Sequence, residues 1–259
     1  MTKLNIGGVN KSYLNGQRTI VFHNLNLEIK MGEFVSIFGP NGCGKSTLLN
    51  IIGGITEIDR GKVEFDGKPI NEAKIGCVFQ DYKSSLFPWL NIKNNIGLPL
   101  KLSGVSSQKR NRLVDKLLRC HKVKFKTDIY PYELSGGQQQ LVALLRSLII
   151  KPDILLLDEP FSSLDYQTTL TMLNKLSQIW QKNRITTLFV SHEIDDALFL
   201  GQKIILLSTK PTKILKIFSI PLPYPRDISV MASPEFNRIK NQVLKLYSQQ
   251  FKGGLEYES

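Results

Sequence analysis

Runs able to cross a membrane are missing from this chain of 259 residues. No apolar stretch approaches the ~20 residues that a spanning helix needs. The longest, Leu141 to Ile150, is interrupted by Arg146. If the protein meets a membrane, it meets it from the side. The N-terminus has Lys3 but no apolar core, so no secretory signal is expected. Cysteine is scarce. Cys43, Cys77 and Cys120 lie far apart and form no C-x-x-C pair, which excludes a disulfide framework and suits a reducing compartment. Acidic residues are outnumbered, 22 against 34 basic, for a formal net charge of +12. That excess reads either as charge spread over a solvated surface or as a match to an anionic partner such as a membrane face. The absence of any long run of like charge favours the first. No nucleic-acid motif is present. The length suits one large α/β domain, or one domain with a subdomain and a short tail.

What is present is organised around Gly39-Pro40-Asn41-Gly42-Cys43-Gly44-Lys45-Ser46-Thr47. Gly39, Gly44, Lys45 and Ser46 fit the phosphate-binding pattern G-x-x-x-x-G-K-[ST]. The run Glu33 to Phe38 before it reads as a buried strand, and Thr47 to Ile52 after it as the start of a helix. Such a loop aims backbone N–H groups and the positive end of a helix dipole at one point. The glycines let the backbone approach phosphate oxygens closely. Lys45 is expected at the β- and γ-phosphates of a nucleotide, and the Ser46 hydroxyl on Mg²⁺. Cys43 reads as an oxidation-sensitive thiol or as filler at a tolerant loop position.

Residues 3–38 alternate as half-buried antiparallel strands do, with a hairpin turn at Asn15-Gly16. Tyr13, just before that turn, is either a stacking surface for an adenine ring or a plain strand-face tyrosine. Lys62 to Gly67 and Ile75 to Phe79 read as strands. Gln80 ends the second, and either reaches a metal or water near the phosphate or simply terminates the strand. Leu86-Phe87-Pro88-Trp89 is apolar and proline-kinked; exposed, it is a candidate partner contact, and buried, it is core. Ser106 to Cys120 has helical spacing.

Leu134-Ser135-Gly136-Gly137-Gln138 opens a second helix and is either a second anion site, serving another molecule's phosphate, or a helix cap. Ile154 to Leu157 is a buried parallel strand by composition, and it ends in Asp158-Glu159-Pro160. Carboxylates there lie where open α/β sheets bind ligands. Asp158 is expected to hold Mg²⁺ through water and Glu159 to polarise an attacking water. After Ser162 to Asp165 comes a helix to about Gln181, then the strand Thr186 to Val190. His192 ends that strand, placed to bond a γ-phosphate or hold the water's geometry. Ile194 to Leu200 is a short helix, two closing strands follow, residues 220–225 form a proline-rich linker, and residues 235–250 an amphipathic helix. The last residues are expected to be loose.

In type and order these motifs resemble those of the ATP-binding subunit of an ABC transporter, over nearly the whole chain. The resemblance implies a P-loop NTPase (RecA-like) core with an antiparallel β subdomain. It implies a nucleotide-binding domain over 1–222, with an inserted helical subdomain at about 81–150 carrying the signature, and a tail over 223–259. It implies ATP and Mg²⁺ as cofactors and a head-to-tail dimer, of two copies or with a related subunit. Ser135, Gly136, Gly137 and Gln138 of one subunit would close over the nucleotide of the other, with Asp165 beside it. It implies a membrane permease touching the region after Gln80, an indirect link to a periplasmic-type solute-binding protein, and a place on the cytoplasmic face of the inner membrane. Leu86 to Trp89, Tyr132-Glu133, Asp158 to Phe161, Val190 to Glu193 with Asp196-Ala197, and Leu222-Pro223 resemble the nitrate, sulfonate, taurine and bicarbonate import branch. Importers of thiamine-precursor pyrimidines share much of this pattern. Soluble ABC proteins acting on nucleic acid or ribosomes are a more distant alternative, since this chain has neither a second half nor a long coiled coil. A module that clamps without hydrolysis is disfavoured by Glu159. Departures from the family pattern are Leu141 and Thr169, where Arg is frequent, and Lys83-Ser84-Ser85, which lengthens the segment after Gln80.

Overall fold

Two-residue periodicity in the buried strands decides the layering. In the computed structural model, which describes residues 3–80 and 85–250, β3 (Phe34–Phe38) is buried throughout. Phe34 and Phe38 face one core, Val35 and Ile37 the other. β7 (Ile154–Asp158) alternates likewise, Leu155 and Leu157 against Ile154 and Leu156. Successive side chains of a strand point to opposite faces, so this sheet is covered on both sides. That is why its strands read as unbroken apolar runs.

The covered sheet has six strands in the order β10-β9-β3-β8-β7-β6. Its members are β6 (Ile75–Val78), β8 (Thr186–Val190), β9 (Lys203–Leu207) and β10 (Ile214–Ser219), with β3 and β7. All pair in parallel except β10, which runs antiparallel to β9. A smaller antiparallel sheet, order β2-β1-β4-β5, lies over one face. It comprises β1 (Lys3–Asn15), β2 (Gln17–Lys30), β4 (Arg60–Phe65) and β5 (Lys68–Pro69). Leu4, Ile6, Leu27 and Ile29 pack there against Val35, Ile37 and Leu48. The hairpin expected at Asn15-Gly16 joins β1 to β2, with Gly16 at φ 75°.

Helix α1 (Lys45–Ile52) follows β3. Helices α2 (Ile92–Leu102), α3 (Ser107–Cys120) and α4 (Gly136–Leu148) build the helical subdomain. α2 has no clear helical signature in the sequence, because Gly97 and Pro99 interrupt its period. Asn91 caps it, its side chain accepting from the Asn94 N–H at 2.9 Å. α5 (Tyr166–Asn183), α6 (Ile194–Leu200) and α7 (Pro234–Gln249) complete the helices. α7 is part of the core: Phe236, Ile239 and Val243 are buried. The stretch before it is also anchored. Arg226 is buried, and its Nη1 donates to the carbonyls of Leu198, Phe199 and Gly201 at 2.7–2.9 Å. Lys83-Ser84 and the final residues 251–259 lie outside the described residues.

The parallel strands place their C-terminal ends on one edge. β3 runs into Gly39, β6 towards Gln80, β7 into Glu159 and β8 into Ser191-His192. Because β3, β8, β7 and β6 are successive neighbours, four segments distant in sequence meet on that edge.

Candidate active site

The phosphate loop is held from three directions. Lys45 is buried, and its ammonium donates to the carbonyls of Gly39 and Pro40 at 2.9 and 3.0 Å. Gly44 sits at φ 108°, a left-handed conformation that favours glycine. A Cβ there would also lie 2.6 Å from Val21 Cγ1, so β2 closes the space above the loop. From below, the buried Thr212 donates its hydroxyl to the Cys43 carbonyl. Cys43 itself is buried, and burial pushes its thiol up, with Lys45 opposing. That thiol is a packing group, which answers the open reading of Cys43 in favour of filler. Asn41 and Gly42 are exposed, Gly39 and Pro40 buried, Ser46 exposed and Thr47 half-buried.

Asp158 closes β7. Burial raises its carboxyl, Glu159 adds to the rise, and hydrogen bonding from Ser46 and the charge of Lys45 oppose it. Its Oδ1 is buried without a hydrogen-bond partner. A raised, half-satisfied carboxylate touching the Ser46 hydroxyl is a donor set that fits Mg²⁺. Mg²⁺ keeps several waters and takes one or two carboxylates plus phosphate oxygens.

Glu159 has φ 44°. A non-glycine residue in that region costs about 1–2 kcal/mol, and such backbones cluster at functional sites. The turn is held by its own N–H, which donates to the Val190 carbonyl at 3.0 Å. It brings Glu159 Oε2 to 3.3 Å from Gln80 Nε2 and 3.1 Å from His192 Nδ1. The three residues therefore form one cluster, although 33 and 79 positions separate the partners in sequence.

The second glycine loop lies in the helical subdomain. Ser135 caps α4, its Oγ accepting from the Gln138 N–H at 3.4 Å while Gln138 Oε1 accepts from the Ser135 N–H at 3.0 Å. A Cβ on Gly137 would lie 2.5 Å from Thr168 Cγ2, so glycine lets α4 meet the first turn of α5. Asp165 caps that turn, accepting from the Thr168 N–H at 2.9 Å and from its hydroxyl at 2.6 Å. These bonds hold its carboxyl low. The cap is a structural reason for an Asp at 165, one that its motif context does not reveal. Among the described residues, no hydrogen bond joins Ser135 to Gln138 with the phosphate loop, Asp158 or Glu159. Tyr13, on the antiparallel sheet, is 37% exposed, with Lys11 Nζ 4.9 Å from its ring centre.

Leu86 to Trp89 divides between the two readings. Leu86 is buried, while Trp89 is 70% exposed. The loop is rigidly carried. The buried Asn95 of α2 accepts from the Phe87 N–H at 2.9 Å and donates to the carbonyls of Phe87 and Leu90 at 3.0 and 2.7 Å. Arg146 of α4 donates to Ser85 Oγ at 3.0 Å. Neither anchoring role stands out in the sequence, because a polar residue within a helix does not show which loop it reaches.

The model of the family described as ABC transporter matches residues 22–162. The chain belongs to that family. It is 39% identical over 251 residues to the uncharacterised ABC transporter ATP-binding protein MJ0412 of Methanocaldococcus jannaschii, covering 94% of this chain and 93% of that one. It is 40% identical over 231 residues to SsuB of Bacillus subtilis, an aliphatic sulfonates import ATP-binding protein, covering 88% of each. Among solved structures, the dimeric structure of MJ0796, a bacterial ABC transporter cassette, matches with a TM-score of 0.73 and 32% identity. That match covers 85% of this chain and 100% of the other. A post-hydrolysis state of MJ0796 bound to ADP and Pi matches equally well. This ABC cassette is thus a P-loop NTPase and an ATPase. Its two sheets and helical insertion have the architecture that the resemblance implied. No helix among the described residues is long and apolar enough to cross a membrane.

Proposed function

We propose that this ATPase powers solute import through a membrane permease, working as a head-to-tail pair on the cytoplasmic face of the inner membrane. The observation that carries the catalytic part is the cluster at the end of β7, where Glu159 gathers Gln80 and His192 beside the phosphate loop. Glu159 takes the proton of the attacking water. His192, bonded to the same carboxylate oxygen, orients that carboxylate. Ser46, Asp158 and Gln80 would hold Mg²⁺, which would supply positive charge beside the β- and γ-phosphates. Lys45 binds those phosphates, and Tyr13 stacks on the adenine.

Among the described residues the signature loop makes no hydrogen bond to the phosphate loop of its own chain, which supports a role on the nucleotide of a second cassette. Ser135, Gly136 and Gly137 do so through the N-terminus of α4, with Gln138 locking the cap and Asp165 the adjoining turn. The second cassette is another copy or a related subunit. The solute is a small anion of the sulfonate class, a reading supported by the 40% identity to SsuB. A periplasmic-type binding protein would deliver it. No nucleic-acid partner is required.

Trp89 marks the permease contact. An exposed tryptophan on a loop clamped by Asn95 and Arg146 suits a docking anchor. Tagged protein drawn from gently solubilised native membranes is expected to bring a polytopic permease, identified by mass spectrometry. Trp89→Ala is expected to lose most of that permease while its melting temperature stays unchanged, since exposed substitutions usually cost under about 0.5 kcal/mol. Undiminished permease recovery with Trp89→Ala would sink this assignment. Recovery of only ribosomal or DNA-bound partners by the unaltered chain would sink the importer reading.

A further inference from the structure

A cleft of about 270 Å³ opens beside the catalytic cluster, between α5, the end of β8 and α6. Its charged lining is acidic: Glu159, Glu193, Asp195 and Asp196, with His192 and no Lys or Arg. The decisive group is Asp196. It is only 9% exposed and lines the cleft, and its carboxylate makes no hydrogen bond or ion pair with the protein among the described residues. The cations that bind α6 are committed elsewhere. Lys240 of α7 pairs with Asp195 at 2.7 Å, and Arg226 bonds the carbonyls at the C-terminal end of α6. From α5 the facing groups are Tyr166 and Thr169, which carry no charge to offset it. Glu193 cannot help, being of like sign, and its carboxylate already lies 3.5 Å from His192 Nε2.

Burying a carboxylate without a partner is costly. Here burial, with Glu193 and Asp195, pushes Asp196 up to about 7, His192 opposing. Ionised Asp196 therefore costs folding stability increasingly as pH rises from the unfolded carboxylate range through about 7, and a bound cation removes that cost. The rest of the lining selects the kind of cation. Tyr166, exposed at the cleft, supplies aromatic surface, which favours organic cations; Phe161 and Phe189 lie buried beneath it and make the floor apolar. Among the described residues, no group of three or more His, Cys, Asp or Glu could hold a metal ion.

We propose that this cleft is a binding site for an organic cation, a guanidinium or primary ammonium group, with Asp196 as its counter-ion. The source is either a small solute or an Arg or Lys side chain of a second copy of this chain. The proposal does not rest on the importer reading, because binding is read at Asp196 itself and not through transport or turnover.

The test is a carbon-13 carboxyl titration of the full chain labelled at aspartate, with Asp196→Asn used only to identify the resonance. Methylguanidinium is expected to lower the Asp196 midpoint by about one to three units, saturably, where sodium chloride at equal ionic strength does not. Thr169→Arg, which supplies a guanidinium from across the cleft, is expected to lower the midpoint with no addition and to abolish the response. If the midpoint of the untreated chain falls as protein concentration rises, the cation comes from a second copy. If it stays constant while methylguanidinium still acts, the cation is a small solute. A midpoint that moves no further with methylguanidinium than with sodium chloride, or that already lies in the ordinary carboxylate range in dilute untreated protein, overturns the proposal.

Discussion

Glu159→Gln is expected to lower the rate of phosphate release by about 10²–10⁴-fold, the usual worth of a positioned general base. The substitution keeps the shape of the side chain and its capacity to bond Gln80 and His192, which lie 3.3 and 3.1 Å from Oε2. It removes only the ability to accept a proton from water. ATP affinity is therefore expected to stay within a few-fold of the unaltered chain, because no phosphate contact is assigned to Glu159. The pair of measurements is single-turnover phosphate release and equilibrium nucleotide binding. Release at the original rate would remove Glu159 from its role. Loss of binding together with loss of rate would mean that the left-handed turn at φ 44°, and not the proton, had been disturbed.

Lys45→Ala is expected to weaken ATP binding by at least about tenfold and up to about a hundredfold. Each hydrogen bond to a charged group contributes roughly 1.5–3 kcal/mol, and Lys45 is assigned the β- and γ-phosphates. The loop also loses an internal brace, since the same ammonium holds the carbonyls of Gly39 and Pro40. Lys45→Arg is expected to rescue little, because a planar guanidinium does not replace a compact ammonium in a buried position. Calorimetric titration with ATP checks both. An unchanged dissociation constant for Lys45→Ala would show that the nucleotide sits elsewhere.

The core of the site is legible in the sequence because its chemistry is local. Residues 34–52 carry strand, loop and helix within one short run. Asp158-Glu159 is announced by four apolar residues directly before it. Gln80 and His192 are legible only as strand ends. What joins them to Glu159 is the order β3-β8-β7-β6, a non-local fact. The remaining features escaped for physical reasons. The cap that Asp165 makes on Thr168 is invisible until α5 is placed. Gly97 and Pro99 hide α2, although packing against α3 and α4 holds it as a helix. Asn95 and Arg146 look like ordinary polar interruptions, yet between them they fix the loop that carries Trp89. Asp196 matters because of what does not face it, and a sequence does not display an empty cleft.

The claim that carries most of this reading is that one nucleotide is closed in by two cassettes. Sedimentation of Glu159→Gln, with and without Mg-ATP, tests it most directly, because blocked hydrolysis keeps the nucleotide in place. The expected result is a rise from the 29.3 kDa of a single chain to twice that mass, dependent on ATP and abolished by adding Lys45→Ala to the same chain. The contradicting result is ATP bound at one per chain while the mass remains that of a single chain, both alone and mixed with any related cassette recovered alongside the permease.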